Sequence, residues 1–161
     1  MATSDPDREL LRHTLATVAY RGAKATRGAP DSFAAFRVSD TSRTPAQILA
    51  HVGDLFEWAL SMAKGAEAWR DSTPKPWPEE IERFHSSIAR FDEYLASDEK
   101  LACSCERLFQ GAIADSLTHI GQIAMLRRIS GSAIRGENYS RANIQAGRVG
   151  AEQEAPAREF D

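Results

Sequence analysis

An aspartate and a histidine four residues apart, Asp115 and His119 in the stretch "ADSLTHIGQIAMLRR" (residues 114–128), interrupt an otherwise apolar run. On a helix, residues separated by four positions differ by about 40° around the axis and by roughly 6 Å along it, so both side chains fall on one face. A cation could bridge them. A third candidate ligand is His51 in "LAHVGDLFEWAL" (residues 49–60). If the helix carrying His51 neighbours the one carrying Asp115 and His119, two imidazoles and one carboxylate converge and leave coordination positions open for water or substrate. Such a set suits zinc, nickel, manganese or iron(II). Two imidazoles and a carboxylate also define non-haem iron oxygenase sites, though those normally sit on other scaffolds. The competing structural reading is that Asp115 accepts a hydrogen bond from His119 and that Asp54, three residues beyond His51, satisfies that imidazole.

The chain has four histidines, and helical position separates them. His13 lies beside arginines with only Glu9 on its face and reads as a surface or boundary residue. His85 is displaced by about 100° from the apolar stripe of its neighbours Ile81, Phe84, Ile88 and Phe91, which predicts that it faces solvent. Asp54 and Gln122, one turn from His51 and His119, could orient a ligating imidazole through its second nitrogen. Glu57 is a weaker candidate base. Arg127 and Arg128 could steer an anionic substrate, although arginines at a helix C-terminus more commonly complement its dipole.

The elements that must position these residues are helices. In "DPDRELLRHTLATVAYRGAKATRG", Leu10, Leu11, Leu15, Val18 and Ala19 recur at helical spacing, with Asp5 as a cap, Pro6 in the first turn and Gly28 beyond the end. Phe33 and Phe36 follow in a connection that should tuck under the core. A second helix over about 45–64 is signalled by the Thr44 cap, by Pro45 and by the stripe Ile48, Leu49, Val52, Leu55, Phe56 and Ala59. The stretch "EAWRDSTPKPWPEE" is a proline-rich loop flanked by Trp69 and Trp77, and Pro78 opens a third helix. The fourth runs from about Glu106 to Ile129. Apolar residues nearly encircle it, which predicts a central, buried helix ending at Gly131.

After Gly131 the sequence mixes glycine and polar residues with one short helical possibility over 140–146, and 148–161 reads as a frayed tail of a single domain. No segment alternates like a strand, so the class is all-α, most simply a four-helix bundle whose long loops permit a non-sequential order.

Composition limits the function classes. With 161 residues, 42% hydrophobic and 27% charged, the chain suits one globular domain. A net charge of -3 with dispersed basic residues gives no positive stripe for nucleic acid. No apolar run approaches the ~20 residues of a membrane span, and the acidic N-terminal stretch is unlike a secretory signal, so the expected compartment is the cytoplasm. Cys103 and Cys105 are too close for an ordinary disulfide and lack the second cysteine pair of a structural zinc site, and they read as reduced bystanders near a helix start.

Together, "LAHVGDLFEWAL" and "ADSLTHIGQIAMLRRISG" resemble the DinB-like (DinB/YfiT-like) superfamily of metal-dependent helical proteins. The resemblance covers about 46–131, and "GENYSRANIQAGRVG" looks like the tail of one branch. It implies a four-helix bundle of up-down-down-up type, often homodimeric, with a divalent metal held by one histidine of the second helix and an H-x-x-x-H pair on the fourth. His51 matches the first ligand and His119 the last, with Gln122 and Arg127 following as the pattern implies. Asp115 stands where the family has its middle histidine; being shorter and anionic, it would favour harder ions. The activities implied are thiol-dependent isomerisation or S-transfer, or hydrolysis, on a small electrophile, with a low-molecular-weight thiol as cosubstrate. The rival is a non-catalytic binding or dimerising stress protein with a vestigial metal site.

Overall fold

The computed structural model describes residues 5–160, and helices dominate it. α1 spans Pro6–Thr26, capped by the Asp5 side chain, which accepts from the Asp7 amide, and Gly28 takes the left-handed φ of 70° just past its end. α2 spans Pro45–Ala63 and opens with a complete capping box, in which the Thr44 hydroxyl accepts from the Gln47 amide and the Gln47 side chain accepts from the Thr44 amide. α3 spans Trp77–Ala96, with Pro78 in its first turn, where its missing N–H costs nothing. These three elements lie where capping and apolar spacing place them.

The fourth helical segment departs from a regular helix. α4, Cys105–Leu108, leads without a break into a π turn at Phe109–Ile113 and then into α5, Ala114–Ile129. A π turn holds one more residue than an α turn, so everything after it is offset by about 100° from a straight continuation. The expectation of a central, encircled helix fails here. α5 buries Ser116, Ile120, Ile123, Leu126 and Arg127, but Met125 and Ile129 stand 60% and 51% exposed. Gly131, with φ of 87°, ends the helix, and the amides of Gly131 and Ser132 close onto the carbonyls of Arg128 and Arg127.

α1 and α2 each pack against both α3 and α5. The core they enclose is built on Leu15, Val18, Leu49, Phe56, Phe84, Phe91, Ile113 and Ile123, each essentially inaccessible to water. Phe33, in a short 3-10 turn at Asp31–Ala35, is buried edge-on against Trp77, and Phe36 packs against the core from the side. The two aromatics of the first connection therefore do what their spacing suggests.

Beyond α5 the sequence-based expectations need correction. The short helical possibility at 140–146 is a 3-10 turn at Tyr139–Arg141. A two-residue antiparallel ladder, absent from any alternation in the sequence, joins β1 (Gly136–Glu137) to β2 (Glu159–Phe160). The stretch read as frayed is thereby tied back, and Val149 within it is buried. This also overturns the placement of His85 in solvent: the returning chain covers that face of α3, leaves His85 7% exposed and takes a hydrogen bond from its Nδ1 on the Val149 carbonyl at 3.0 Å. His13 is exposed as expected.

The tail is fastened chiefly by charge. Lys24 of α1, 7% exposed, donates to Glu137 at 2.8 Å and to Glu159 at 2.9 Å, bringing β1, β2 and α1 to one ammonium. Removing one member of a buried pair leaves an uncompensated charge. Lys24→Ala is therefore expected to lower unfolding free energy by about 3 kcal/mol. Glu159→Gln, at the more accessible carboxylate, should cost less than about 1 kcal/mol. Urea unfolding of the two variants checks the order, and equal losses would contradict this account of the tail.

Candidate metal centre

His51, Asp115 and His119 come together where α2 and α5 pack. Asp115 and His119 share one face of α5 because both lie after the π turn, on a regular helical stretch where their spacing of four holds. His51 reaches them from the middle of α2. One carboxylate oxygen, Asp115 Oδ2, lies 3.6 Å from His51 Nε2 and 3.4 Å from His119 Nε2. The two imidazoles meet edge-on with centroids 4.8 Å apart, and one donor atom from each of the three residues falls within 4.8 Å of the other two.

The separations from Asp115 to the two imidazoles are close to those between ligands of one small cation. Zinc-type ligands at about 2.1 Å in tetrahedral array lie roughly 3.4 Å from one another, close to both carboxylate to imidazole distances. The same distances are longer than those of strong hydrogen bonds. The donor set, two neutral nitrogens and one anionic oxygen, fits a divalent ion of intermediate hardness. Asp115 is the open side of the group, with 45% of its side chain exposed against 20% for His51 and 13% for His119.

Each imidazole is held by its surroundings. Gln122, one turn on from His119, places its Oε1 2.8 Å from His119 Nδ1. An amide oxygen only accepts, so with Gln122 in this orientation Nδ1 carries the proton and Nε2 is left able to ligate. Gln122 thus does what its spacing suggests. Trp69, from the proline-rich loop after α2, lies edge-on to His51 with centroids 5.5 Å apart, and it meets Trp58 of α2 edge-on at 5.9 Å. Its indole N–H donates to Asp71 at 3.1 Å, which fixes the ring over the site.

Asp54 has a different task from the one its position suggests. It accepts from the Ser72 amide at 2.9 Å and from Arg83 Nη2 at 2.5 Å, not from His51. Arg83 also reaches Glu80 and the Ala50 carbonyl, and it fits there because Gly53 presents no side chain: a Cβ would lie 2.9 Å from Nη1. Asp54 therefore anchors the loop carrying Trp69 to α2 and α3. Glu57 pairs with Arg83 and Arg90, away from the three ligands. Arg127 is also structural. It is 5% exposed and donates to the carbonyls of Ala25 and Arg27 at 3.0 Å, tying α5 to the end of α1. Arg128 donates to the Ile134 carbonyl. Cys103 and Cys105 are free, and burial pushes both thiols up, which makes them poor nucleophiles.

Beside His119 opens a groove of about 720 Å³ between the end of α5 and the segment leading into α2. Its walls are mostly apolar, with Ser42, Arg43, Thr118, His119 and Gln122 as polar contributors. Sequence reasoning singled out neither Arg43 nor Trp69 for the site. Trp69 was visible only as an aromatic bordering a proline-rich loop, and Arg43 only as the residue before a helix cap.

The chain matches no family model, no curated protein and no solved structure. The chemistry of the site therefore stands on its own residues.

Burial holds the His51 pKa below its ordinary value, with the neighbouring His119 ring and the positive charge of Arg43 acting in the same direction and Asp115 opposing them. The ring is consequently neutral, and able to ligate, at neutral pH. In metal-free protein, NMR titration of His51 is expected to give a midpoint below about 6.5. Asp115→Asn should lower it further, and Arg43→Gln should raise it. Because the folded state binds this proton more weakly than the unfolded state, the contribution to stability is complete above the unfolded value of about 6.5 and declines as pH falls from there toward the folded midpoint. A midpoint at or above that value would contradict the electrostatics described.

Proposed function

We propose that His51, Asp115 and His119 bind one divalent metal ion, zinc, nickel, manganese or iron(II), and that the protein is a metal-dependent enzyme acting on a small electrophile. The observation that carries this reading is the convergence of three donor atoms from two helices at separations suited to a single cation, in a set that leaves coordination positions open. The resemblance of the segments around His51 and His119 to the DinB-like superfamily supports it, as does an all-α chain in which α1 and α2 each contact α3 and α5. On this reading the fold is a four-helix bundle of the up-down-down-up type, the protein acts in the cytoplasm, and two copies associate.

A bound divalent ion would supply Lewis acidity, lowering the pKa of a coordinated thiol or water so that its anion can act as a nucleophile. The chain's own residues do the rest. Gln122 fixes the His119 tautomer, and Trp69 limits water at His51. The exposed Asp115 marks the side from which a cosubstrate, a low-molecular-weight thiol or water, approaches. The reaction class that fits is S-transfer, thiol-assisted isomerisation or hydrolysis.

The rival reading, a non-catalytic binding or dimerising protein, draws on the exposed Met125 and Ile129 and on the carboxylate at position 115. Metal analysis separates the two. Untagged protein is expected to hold about one equivalent of a transition metal after reconstitution, and His51→Ala or His119→Ala to lose it with unfolding free energy of the apo form nearly unchanged. Asp115→His should bind zinc at least as tightly as the parent chain. Less than about 0.2 equivalents in the parent protein, whichever metal is supplied, would defeat the enzyme reading.

A further inference from the structure

The groove beside His119 has a charge asymmetry that a general apolar cleft lacks. Arg43 is the sole charged side chain on its walls, and no carboxylate lines it. Arg43 is exposed and makes no hydrogen bond or ion pair among the described residues, whereas Arg12, Arg83, Arg107 and Arg127 are all engaged. Its backbone is nevertheless well placed: it directly precedes Thr44, whose reciprocal bonds with Gln47 hold the entry to α2. A rigidly mounted, unpaired guanidinium at the mouth of a groove is a receptor for an anion. Beyond the uncharged polar side chains the walls are hydrocarbon, from Val38, Ile48, Leu126, Met125 and Ile129, and Met125 and Ile129 are the exposed apolar residues of α5 that the core does not use.

We propose that this groove binds an amphipathic monocarboxylate, with its carboxylate on Arg43 and its hydrocarbon arm along Val38, Ile48, Met125 and Ile129. His119 and Gln122 form part of the same wall, so the ligand lies beside the candidate metal centre. The substrate class of the proposed enzyme is thereby an electrophile carrying one carboxylate and an apolar arm. That last step rests on the metal reading, while the preference of the groove for a carboxylate does not.

The test uses octanoate and its neutral counterpart octanol on the full chain stripped of metal with a chelator, followed by calorimetry and by chemical shifts of Arg43, Thr118, Met125 and Ile129. Octanoate is expected to bind about threefold to fivefold more tightly than octanol, the size of effect an exposed charge pair provides. Arg43→Gln should bring octanoate down to the octanol affinity without changing octanol, which also shows that the variant is folded. Met125→Glu should weaken both. The proposal is overturned if the parent protein does not distinguish the two compounds, if Arg43→Gln leaves octanoate unaffected, if neither binds, or if sedimentation shows a self-associated protein whose contact buries Met125 and Ile129 and excludes both. Since metal is absent throughout, failure of metal uptake would count against the metal reading alone, and loss of carboxylate discrimination against this one alone.

Discussion

Packing of α2 directly against α5 is the constraint on which the site depends. Neither helix alone offers more than two ligands, and the third arrives only if the interhelical distance is fixed within a few tenths of an ångström. Flexible loops could not supply that. The core does: Leu49, Val52 and Phe56 on α2 and Ile120 and Ile123 on α5 are excluded from water, and a close-packed interior resists small displacements. His51 and the pair Asp115 and His119 sit at the edge of this apolar contact, where an imidazole is desolvated enough to stay neutral yet a carboxylate can still reach water.

Around that contact, buried charge is used to fasten parts that the apolar core does not reach. Arg83 gathers Asp54, Glu80 and the Ala50 carbonyl, Lys24 gathers Glu137 and Glu159, and Arg127 caps the carbonyls at the end of α1. The first two tie a loop and the tail to helices, and the third ties α5 to α1. The Asp54 cluster matters most for chemistry because, through Ser72, it fixes the loop that lays Trp69 against His51. Asp54 thus acts on His51 through an aromatic lid, although no hydrogen bond joins the two.

The local parts of this arrangement were legible in the sequence for a physical reason. Caps, proline positions and the spacing of four between Asp115 and His119 depend on neighbours in the chain, so α1, α2, α3 and the ligand pair follow directly from residue types. His51 required a tertiary assumption, that its helix neighbours α5. What escaped depends on residues remote in sequence. His85 lies off the apolar stripe of α3, and only the return of the chain at Val149 buries it. Two-residue strands are too short to alternate, so β1 and β2 leave no periodic signal. The π turn changed which face of α5 meets the core without disturbing the spacing of Asp115 and His119, because both follow it; that is why their convergence with His51 could be anticipated on a helix whose burial was not.

If His51, Asp115 and His119 hold a divalent ion, a carboxylate among the ligands would alter the electrostatics more than the geometry. A neutral three-histidine set leaves a divalent ion with its full charge, whereas one carboxylate halves the net charge and makes the remaining positions less acidic. Such a centre would polarise a bound thiol or water less strongly and bind an incoming anion less strongly than a three-histidine one. Arg43 stands where that deficit could be offset: its positive charge is near enough to influence His51, and it faces the groove at whose wall His119 lies. An anionic group attracted to the site would then be held by the guanidinium on the groove side and need not occupy the metal. Selectivity for the ligand would pass from the ion to the protein.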